Sequence, residues 1–392
     1  MSIRTIDDLE VAGRRVFVRV DFNVPLSDGE ITDDSRIRAA LPTLRALIER
    51  GAKLILASHL GRPKGKPRPE LSLEPVALKL AELLSLDEVI LPDDCIGDGA
   101  KKVVSDLRDG GVVLLENLRF HPGEEANDPA FARELAVLAE IYVNDAFGAA
   151  HRAHASVSAL PQLMEFRAAG YLMKAELAAL TRIQDDPPRP FYAVLGGAKV
   201  SDKIGVIEAL MKRVDGILIG GAMANTFLAA RGASLGKSLV EDDKLALART
   251  LLQKADDAGI AIHLPRDLRV GASIEATEGR VVGIDEVGEE EMALDIGPAT
   301  LRAYQEALFG AGGVFWNGPM GLFENPAFAE GTLGVARLLA ESKAFTVVGG
   351  GDSVAAINQS GLADRFDHVS TGGGASLEFL EGKKMPGVEA LR

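Results

Sequence analysis

Two groups of residues in this 392-residue chain have the types and spacing to do chemistry. The first is a series of polar and basic side chains, Asp21, Asn23, His59, Arg62, Arg119, His121, His151 and Arg152, each falling just after an apolar run. Forked guanidinium donors match carboxylate and phosphate oxygens, so a pocket that gathers several of them suits a small anion. The second is Val347-Val348-Gly349-Gly350-Gly351-Asp352-Ser353, which reads as strand, glycine turn and helix. Such a turn aims backbone N–H groups and the positive end of a helix dipole at whatever lies above it, and its natural guest is a phosphate. Glycines permit positive φ and close approach, and Asp352 or Ser353 can cap the helix that follows. A single turn of this kind is as readily a plain connection. The phosphate reading gains from repetition at Gly196-Gly197-Ala198-Lys199, Gly220-Gly221, Asn317-Gly318 and Gly372-Gly373-Gly374.

The elements that must position these groups follow from periodicity. Strand-like runs at 15–20, 54–57, 89–91, 112–115 and 141–143 alternate with helical spacing at 37–48, 73–84, 99–107 and 129–139. This is the pattern of a parallel doubly wound sheet, whose ligands bind beyond the carboxyl ends of the strands. The first group therefore gathers on one sheet edge, joined by Arg36 and Arg38 at the start of the first helix. A helix over 170–183 runs into a proline-rich stretch at 184–190 that neither helix nor central strand can continue through, which marks a domain junction. A second alternating series begins at 191, with strands at 191–195, 216–219, 260–264, 314–316 and 345–348. Lys199 and Lys203 are four apart and share a face if both are helical. With the glycine turns they make a nucleotide polyphosphate site, and Asp352 is its expected magnesium anchor. Trp316 reads as core, and the polar, strand-poor stretch 277–292 as surface decoration.

Composition bounds the classes of function. With 47% hydrophobic and 26% charged residues the chain is globular and long enough for two or three domains. A net charge of −14 disfavours nucleic acid or an anionic membrane as the main partner. The lone Cys95 excludes an internal disulfide, and with no apolar signal segment in residues 1–10 the expected compartment is a reducing cytoplasm. No apolar run is long enough to cross a bilayer. Gly232-Ala233-Ser234-Leu235-Gly236 has the form of a nucleophile elbow, but the residues before its serine read as helix where the elbow needs a strand. A complete G-x-G-x-x-G is absent, which weakens a dehydrogenase reading. His151 and His154 lack neighbours to complete a metal ligand set, so hydrogen-bonding roles are favoured. A different two-domain transferase or a non-catalytic nucleotide-binding regulator would keep the glycine turns, yet neither has use for Arg36, Arg62, Arg119 and Arg152 together.

Seven motifs in order, Arg19-Val20-Asp21-Phe22-Asn23-Val24-Pro25, Ser58-His59-Leu60-Gly61-Arg62-Pro63, Glu116-Asn117-Leu118-Arg119-Phe120, Asn144-Asp145-Ala146-Phe147, Gly196-Gly197-Ala198-Lys199-Val200, Trp316-Asn317-Gly318-Pro319 and Gly349-Gly350-Gly351-Asp352, resemble phosphoglycerate kinase over nearly the whole chain. The resemblance implies two Rossmann-like parallel-sheet domains joined by a helix, with a cleft between them. Its boundaries would be an N-terminal phosphoglycerate domain over 1–169, the joining helix and linker over 170–190, a nucleotide domain over 191–376 and a tail over 377–392 returning to the first domain. It implies reversible, magnesium-dependent phosphoryl transfer from 1,3-bisphosphoglycerate to ADP, giving 3-phosphoglycerate and ATP, by a cytoplasmic monomer without nucleic-acid or membrane partners.

Carried over by motif, Asp21, Phe22, Asn23, Arg36, His59, Leu60, Gly61, Arg62, Arg119 and Arg152 would hold the phosphoglycerate. Gly196, Lys199, Lys203, Gly220, Gly221, Asn317, Glu324, Gly350, Gly351, Asp352 and Ser353 would hold ATP or ADP, with Asp352 meeting the magnesium mainly through the nucleotide. Arg36, Lys199 and the N–H groups of Gly372 and Gly373 would stabilise the transferring group. Ala222 and Ala293 stand where many relatives have glycine.

Overall fold

Runs such as Leu54-Ile55-Leu56-Ala57, apolar at consecutive positions, are satisfied only in a sheet covered on both faces. The computed structural model describes residues 3–392 and builds two such sheets. Contacts divide the chain into one compact unit of Met1–Leu177 with Lys384–Arg392 and a second of Ala178–Lys383.

The first unit holds five parallel strands in the order Val112–Leu114, Lys53–Ala57, Arg15–Arg19, Ile141–Asn144 and Phe166–Ala169. Val18 lies opposite Leu56 on one side and Val143 on the other, so the central strand delivers Asp21 and Asn23 to the middle of the carboxyl edge. The Ser35–Glu49 helix packs Ile37, Leu41, Leu44 and Leu47, one stripe at helical spacing, into the core formed with Val16, Val18 and Leu54. The Tyr171–Asp185 helix takes its caps from distant residues: Tyr171 N–H donates to Thr43 Oγ1 at 2.8 Å, and Met173 N–H to Asp145 Oδ1 at 3.2 Å. The division between the units falls within this helix, after Leu177. Lys384–Arg392 belongs to the first unit, where Gly387 N–H donates to the Ala150 carbonyl at 2.9 Å.

The second unit holds six parallel strands in the order Ala261–His263, Gly216–Ile219, Phe191–Leu195, Gly313–Asn317, Phe345–Gly349 and His368–Val369. Trp316 is fully buried in its core. A separate antiparallel sheet places Asp267–Gly271 between Arg280–Gly283 and Met292–Ile296.

Several local expectations are corrected. The stretch 277–292 is not decoration: Val282 and, beyond it, Ala293 are buried with Leu228, Leu268 and Val270 in a small core of their own. One-sided strands of this kind carry mostly polar residues on the other face and read as loop. Residues 89–91 form only an isolated bridge, Ile90 to Val113. The short Phe166–Ala169 edge strand, interrupted by Arg167, gave no strand signal. Neither Asp352 nor Ser353 caps the Gly351–Ser360 helix, whose cap is Gly350 at φ +94°. No helix among the described residues is long and apolar enough to cross a membrane.

Candidate active site

At the carboxyl edge of the first sheet the polar residues expected from sequence are tied to one another. Arg36 donates to Asp21 Oδ2 at 2.6 Å, Asn23 N–H to Asp21 Oδ1 at 3.3 Å, and Gly61 N–H to Asn23 Oδ1 at 2.8 Å. Burial alone would raise the Asp21 carboxyl, but the charges of Arg36 and Arg19 and the Asn23 N–H hold it below its ordinary range, so it is an anion at neutral pH. Asn117 fastens the loop after the next strand, accepting from Leu60 N–H at 3.2 Å and Arg119 N–H at 3.1 Å. The buried Arg119 in turn donates to the Gly61 carbonyl at 2.8 Å. Its Nε lies 3.4 Å from Glu125 without an aligned hydrogen bond, leaving one buried donor unspent.

His59 is buried beside this group, with Nδ1 at 3.2 Å from a guanidinium nitrogen of Arg19. Arginine can only donate, so Nδ1 accepts and the ring proton sits on Nε2. Burial lowers the His59 pKa well below its ordinary value, and Arg19, Arg119 and Arg152 lower it further against the opposing pull of Asp21. His59 is thus a neutral Nε2–H donor among cations. Burial, then Arg119, Arg19 and Arg152, takes His154 down to about 4, so it too is neutral.

Sequence reasoning left Arg19 without a role. It is fully buried, donates through Nε to Ser156 Oγ at 2.7 Å and to the Val20 carbonyl, and lies 4.0 Å from buried Glu124. Glu124 also accepts from Ser156 N–H at 2.9 Å and Ser156 Oγ at 2.5 Å. An arginine between Val18 and Val20, continuing the apolar run Val16-Phe17-Val18, was the available signal. Glu124, in a short polar helical turn, gave none.

Other expected members are not hydrogen-bonded into this group. Arg62 is exposed with no carboxylate partner among the described residues, and Arg152 donates to His151 Nε2 at 3.0 Å. Arg38 does not face a ligand as the sequence suggested; it makes a two-pronged pair with Asp34 at 2.8 and 2.9 Å. His121 is paired with Asp94 at 2.6 Å.

In the second unit the glycines fall into two kinds. The N–H groups of Gly196, Gly197, Gly220 and Gly221 donate to the carbonyls of Asn317, Pro319, Leu195 and Met320 at 2.8 to 2.9 Å. A Cβ on Gly196 would overlap the Pro319 carbonyl, and one on Gly220 or Gly221 would press into Met320 or Gly197. The N–H groups of these four are committed to backbone carbonyls, which corrects the sequence argument that they face a phosphate, and Gly196 and Gly221 let strand exits pack backbone on backbone. Gly351, Gly373 and Gly374, by contrast, have open space where a Cβ would stand. Gly372 N–H is directed at Ser370 Oγ, 3.1 Å away.

Lys199 and Lys203 are not on one helical face. The Ile204–Leu210 helix starts after both, Lys199 is exposed in the preceding turn and Lys203 occupies the cap position. Glu241 fixes this turn, accepting from Val200 N–H at 2.6 Å and Ser201 Oγ at 2.5 Å, a tie with no sequence signal. Lys203 is nearly buried and donates to Asn317 Oδ1, while Asn317 Nδ2 donates to the Gly349 carbonyl at 2.8 Å. Burial brings Lys203 down to about 8, opposed by Asp352 and Asp202. Asp352 is exposed in the first turn after Gly350, near enough for its charge to act on Lys203. Ser353 is buried and accepts from Gly318 N–H at 2.5 Å, so its hydroxyl fastens two turns together. Glu324 is exposed.

The order and spacing of these turns have close counterparts. A family model described as phosphoglycerate kinase matches residues 6–383. The chain belongs to the phosphoglycerate kinase family. A phosphoglycerate kinase of Anaeromyxobacter dehalogenans strain 2CP-C is 59% identical over 394 residues, spanning 100% of this chain and 99% of the relative. One from Moorella thermoacetica is 56% identical, with 100% and 99% covered. The solved phosphoglycerate kinase of Coxiella burnetii superposes with a TM-score of 0.89 at 40% identity, covering 100% of this chain and 99% of that one. The Pyrococcus horikoshii OT3 enzyme gives 0.89 at 35% identity, covering 99% and 98%. As a phosphoglycerate kinase family member the chain is a kinase with a carboxyl group as acceptor.

Proposed function

We propose that the chain carries out the glycolytic reaction of its family, magnesium-dependent phosphoryl transfer between 1,3-bisphosphoglycerate and ADP, giving 3-phosphoglycerate and ATP. The observation that carries this reading is the neutral His59 under the charges of Arg19, Arg119 and Arg152, beside the Asp21–Arg36 pair. In the direction of ATP consumption the nucleophile is a carboxylate, already ionised at neutral pH, so no general base is required. The work left is orientation and charge neutralisation.

Arg62, Arg119 and Arg152, with the His59 Nε2–H, would grip the phosphoglycerate, and Arg36, held by Asp21, would meet its reacting end. The Asp21, Phe22, Asn23 and Leu60, Gly61 loops would shape this pocket. In the second unit the turn of Gly350, Gly351 and Ser353, open at Gly351, would with Lys203, Asn317 and Glu324 hold the nucleotide above the packed floor of Gly196, Gly220 and Gly221. Asp352 is the exposed carboxylate suited to Mg2+, which would supply charge neutralisation on the phosphates while most of its ligands come from nucleotide and water. Lys199, Gly372 and Gly373 would stabilise the transferring group; Gly372 would have to exchange Ser370 for the phosphoryl oxygen. The reacting groups come from both units, so turnover requires groups of both at one transferring phosphoryl group.

Each chain carries a complete set of groups, so a monomer suffices, and we place it in the cytoplasm. The test is a coupled assay of ATP-dependent phosphorylation of 3-phosphoglycerate by the purified protein, with magnesium and then with chelator. Magnesium-dependent turnover is the expected result. ATP binding without turnover would instead favour a nucleotide-binding regulator.

A further inference from the structure

The second unit contains a cavity of about 630 Å3 that the proposed reaction does not use. It is lined from the exit of the Ala261–His263 edge strand, from the carboxyl end of the Gly221–Ala230 helix and from the Pro298–Leu308 helix. The proposed nucleotide groups Gly220 and Gly221 lie at the other end of that ten-residue helix, roughly 15 Å away at 1.5 Å per residue. The volume is that of a small-molecule pocket rather than a packing defect.

Its lining has two characters. Leu228, Leu264 and Ile284 give an apolar wall. Arg231, Arg266 and His263 give a basic one, with Asp285 as the only acidic residue of the lining. Neither arginine makes an ion pair or side-chain hydrogen bond with a described residue, unlike the arginines committed to Asp34 or Glu291 elsewhere on the molecule. Both guanidinium groups are exposed. Burial and then the Arg266 charge lower the His263 pKa, so the imidazole adds a neutral donor to this wall at neutral pH. Tyr304, also in the lining, is buried with its hydroxyl 2.5 Å from the Ile219 carbonyl and 3.2 Å from the His263 carbonyl. Neither guanidinium group is neutralised by a described carboxylate, and the apolar side chains of the same lining suit an anion with an apolar body better than a bare inorganic one.

We propose that this cavity is a second ligand site, distinct from the nucleotide groups, for a small organic anion with an apolar body and a carboxylate, sulfonate or phosphate head that Arg231 and Arg266 grip. The head would lie against the guanidinium groups and the body against Leu228, Leu264 and Ile284.

The test uses 8-anilinonaphthalene-1-sulfonate, which has this form, titrated by fluorescence against the full chain with saturating magnesium ATP to block the nucleotide groups. N-phenyl-1-naphthylamine, the same body without the sulfonate, serves as the neutral comparison. The expected result is one saturable class of binding that persists with ATP, at least about tenfold tighter for the sulfonate than for the amine, and weakened at least about tenfold in Arg231→Glu/Arg266→Glu. Both positions are exposed, so the variant should keep its fold, which a thermal melt checks independently of any ligand. Sulfonate binding that ATP abolishes, that the double variant retains, or that the amine equals would overturn the proposal. Absence of saturable binding would overturn it as well.

Discussion

In the first unit the polar groups of the carboxyl edge are mostly side chains bonded to one another, Arg36 to Asp21 and Arg19 to His59 and Ser156, with Arg119 bonded to the Gly61 carbonyl. In the second they are mostly backbone turns, and the basic side chains differ: Lys203 is held by Asn317 while Lys199 is exposed. The difference follows from the ligands each region would serve. A small acid must be recognised by forked donors in fixed directions, whereas a polyphosphate is gripped by successive N–H groups and point charges. A side-chain pocket needs a scaffold of buried partners such as Glu124 and Ser156. A backbone pocket needs glycines that let turns approach.

The strongest break of this comparison is at the packed glycines. Gly196→Ala drives a Cβ into the Pro319 carbonyl and should cost at least about 3 kcal/mol in chemical denaturation. The same change at Gly351, where nothing lies within 4 Å, should leave stability within about 1 kcal/mol and instead weaken ADP binding. Equal stability losses would erase the distinction between the two kinds of glycine. Next in size, Arg36→Ala and Lys199→Ala should each lower kcat at least about a hundredfold with little change in melting temperature, the effect of removing one preorganised donor. Near-normal turnover in both would remove them from the reaction.

The smallest effect concerns the scaffold of the first unit. Burial raises the Asp145 carboxyl to about 7, with one oxygen lacking a partner, while Thr43 and the Leu172 and Met173 N–H groups favour its charge. A folded-state pKa above the unfolded value near 3.8 means stability that is present at low pH and lost as pH rises through about 7. Between pH 5 and 8 the wild type should therefore lose on the order of 2 kcal/mol that Asp145→Asn does not lose. Parallel pH profiles for the two proteins would show that Asp145 is ionised throughout.

The fold class was legible because both central sheets are built from runs apolar at consecutive positions, such as Leu54 to Ala57 and Val314 to Trp316, separated by helical spacing. What escaped were elements whose burial is one-sided or short: the antiparallel sheet through Val282 and Ala293, and the Phe166–Ala169 edge. In the site, residues in compact motifs were legible, but their partners from distant loops were not. Glu124 meets Arg19 across more than a hundred residues, and Glu241 fixes the Lys199 turn from forty residues away. The glycine turns show the other limit, since Gly196 and Gly351 look alike as letters and differ in whether a neighbouring backbone fills the space above them.

The division of ligands between a side-chain pocket and a backbone pocket is tested most directly by calorimetric titration of 3-phosphoglycerate and magnesium ADP, each alone, into wild type, Arg152→Ala and Lys203→Met. Arg152→Ala is expected to weaken 3-phosphoglycerate at least about tenfold and leave ADP within about twofold, and Lys203→Met to do the reverse. Loss of the same ligand in both variants would contradict the assignment of one ligand to each region.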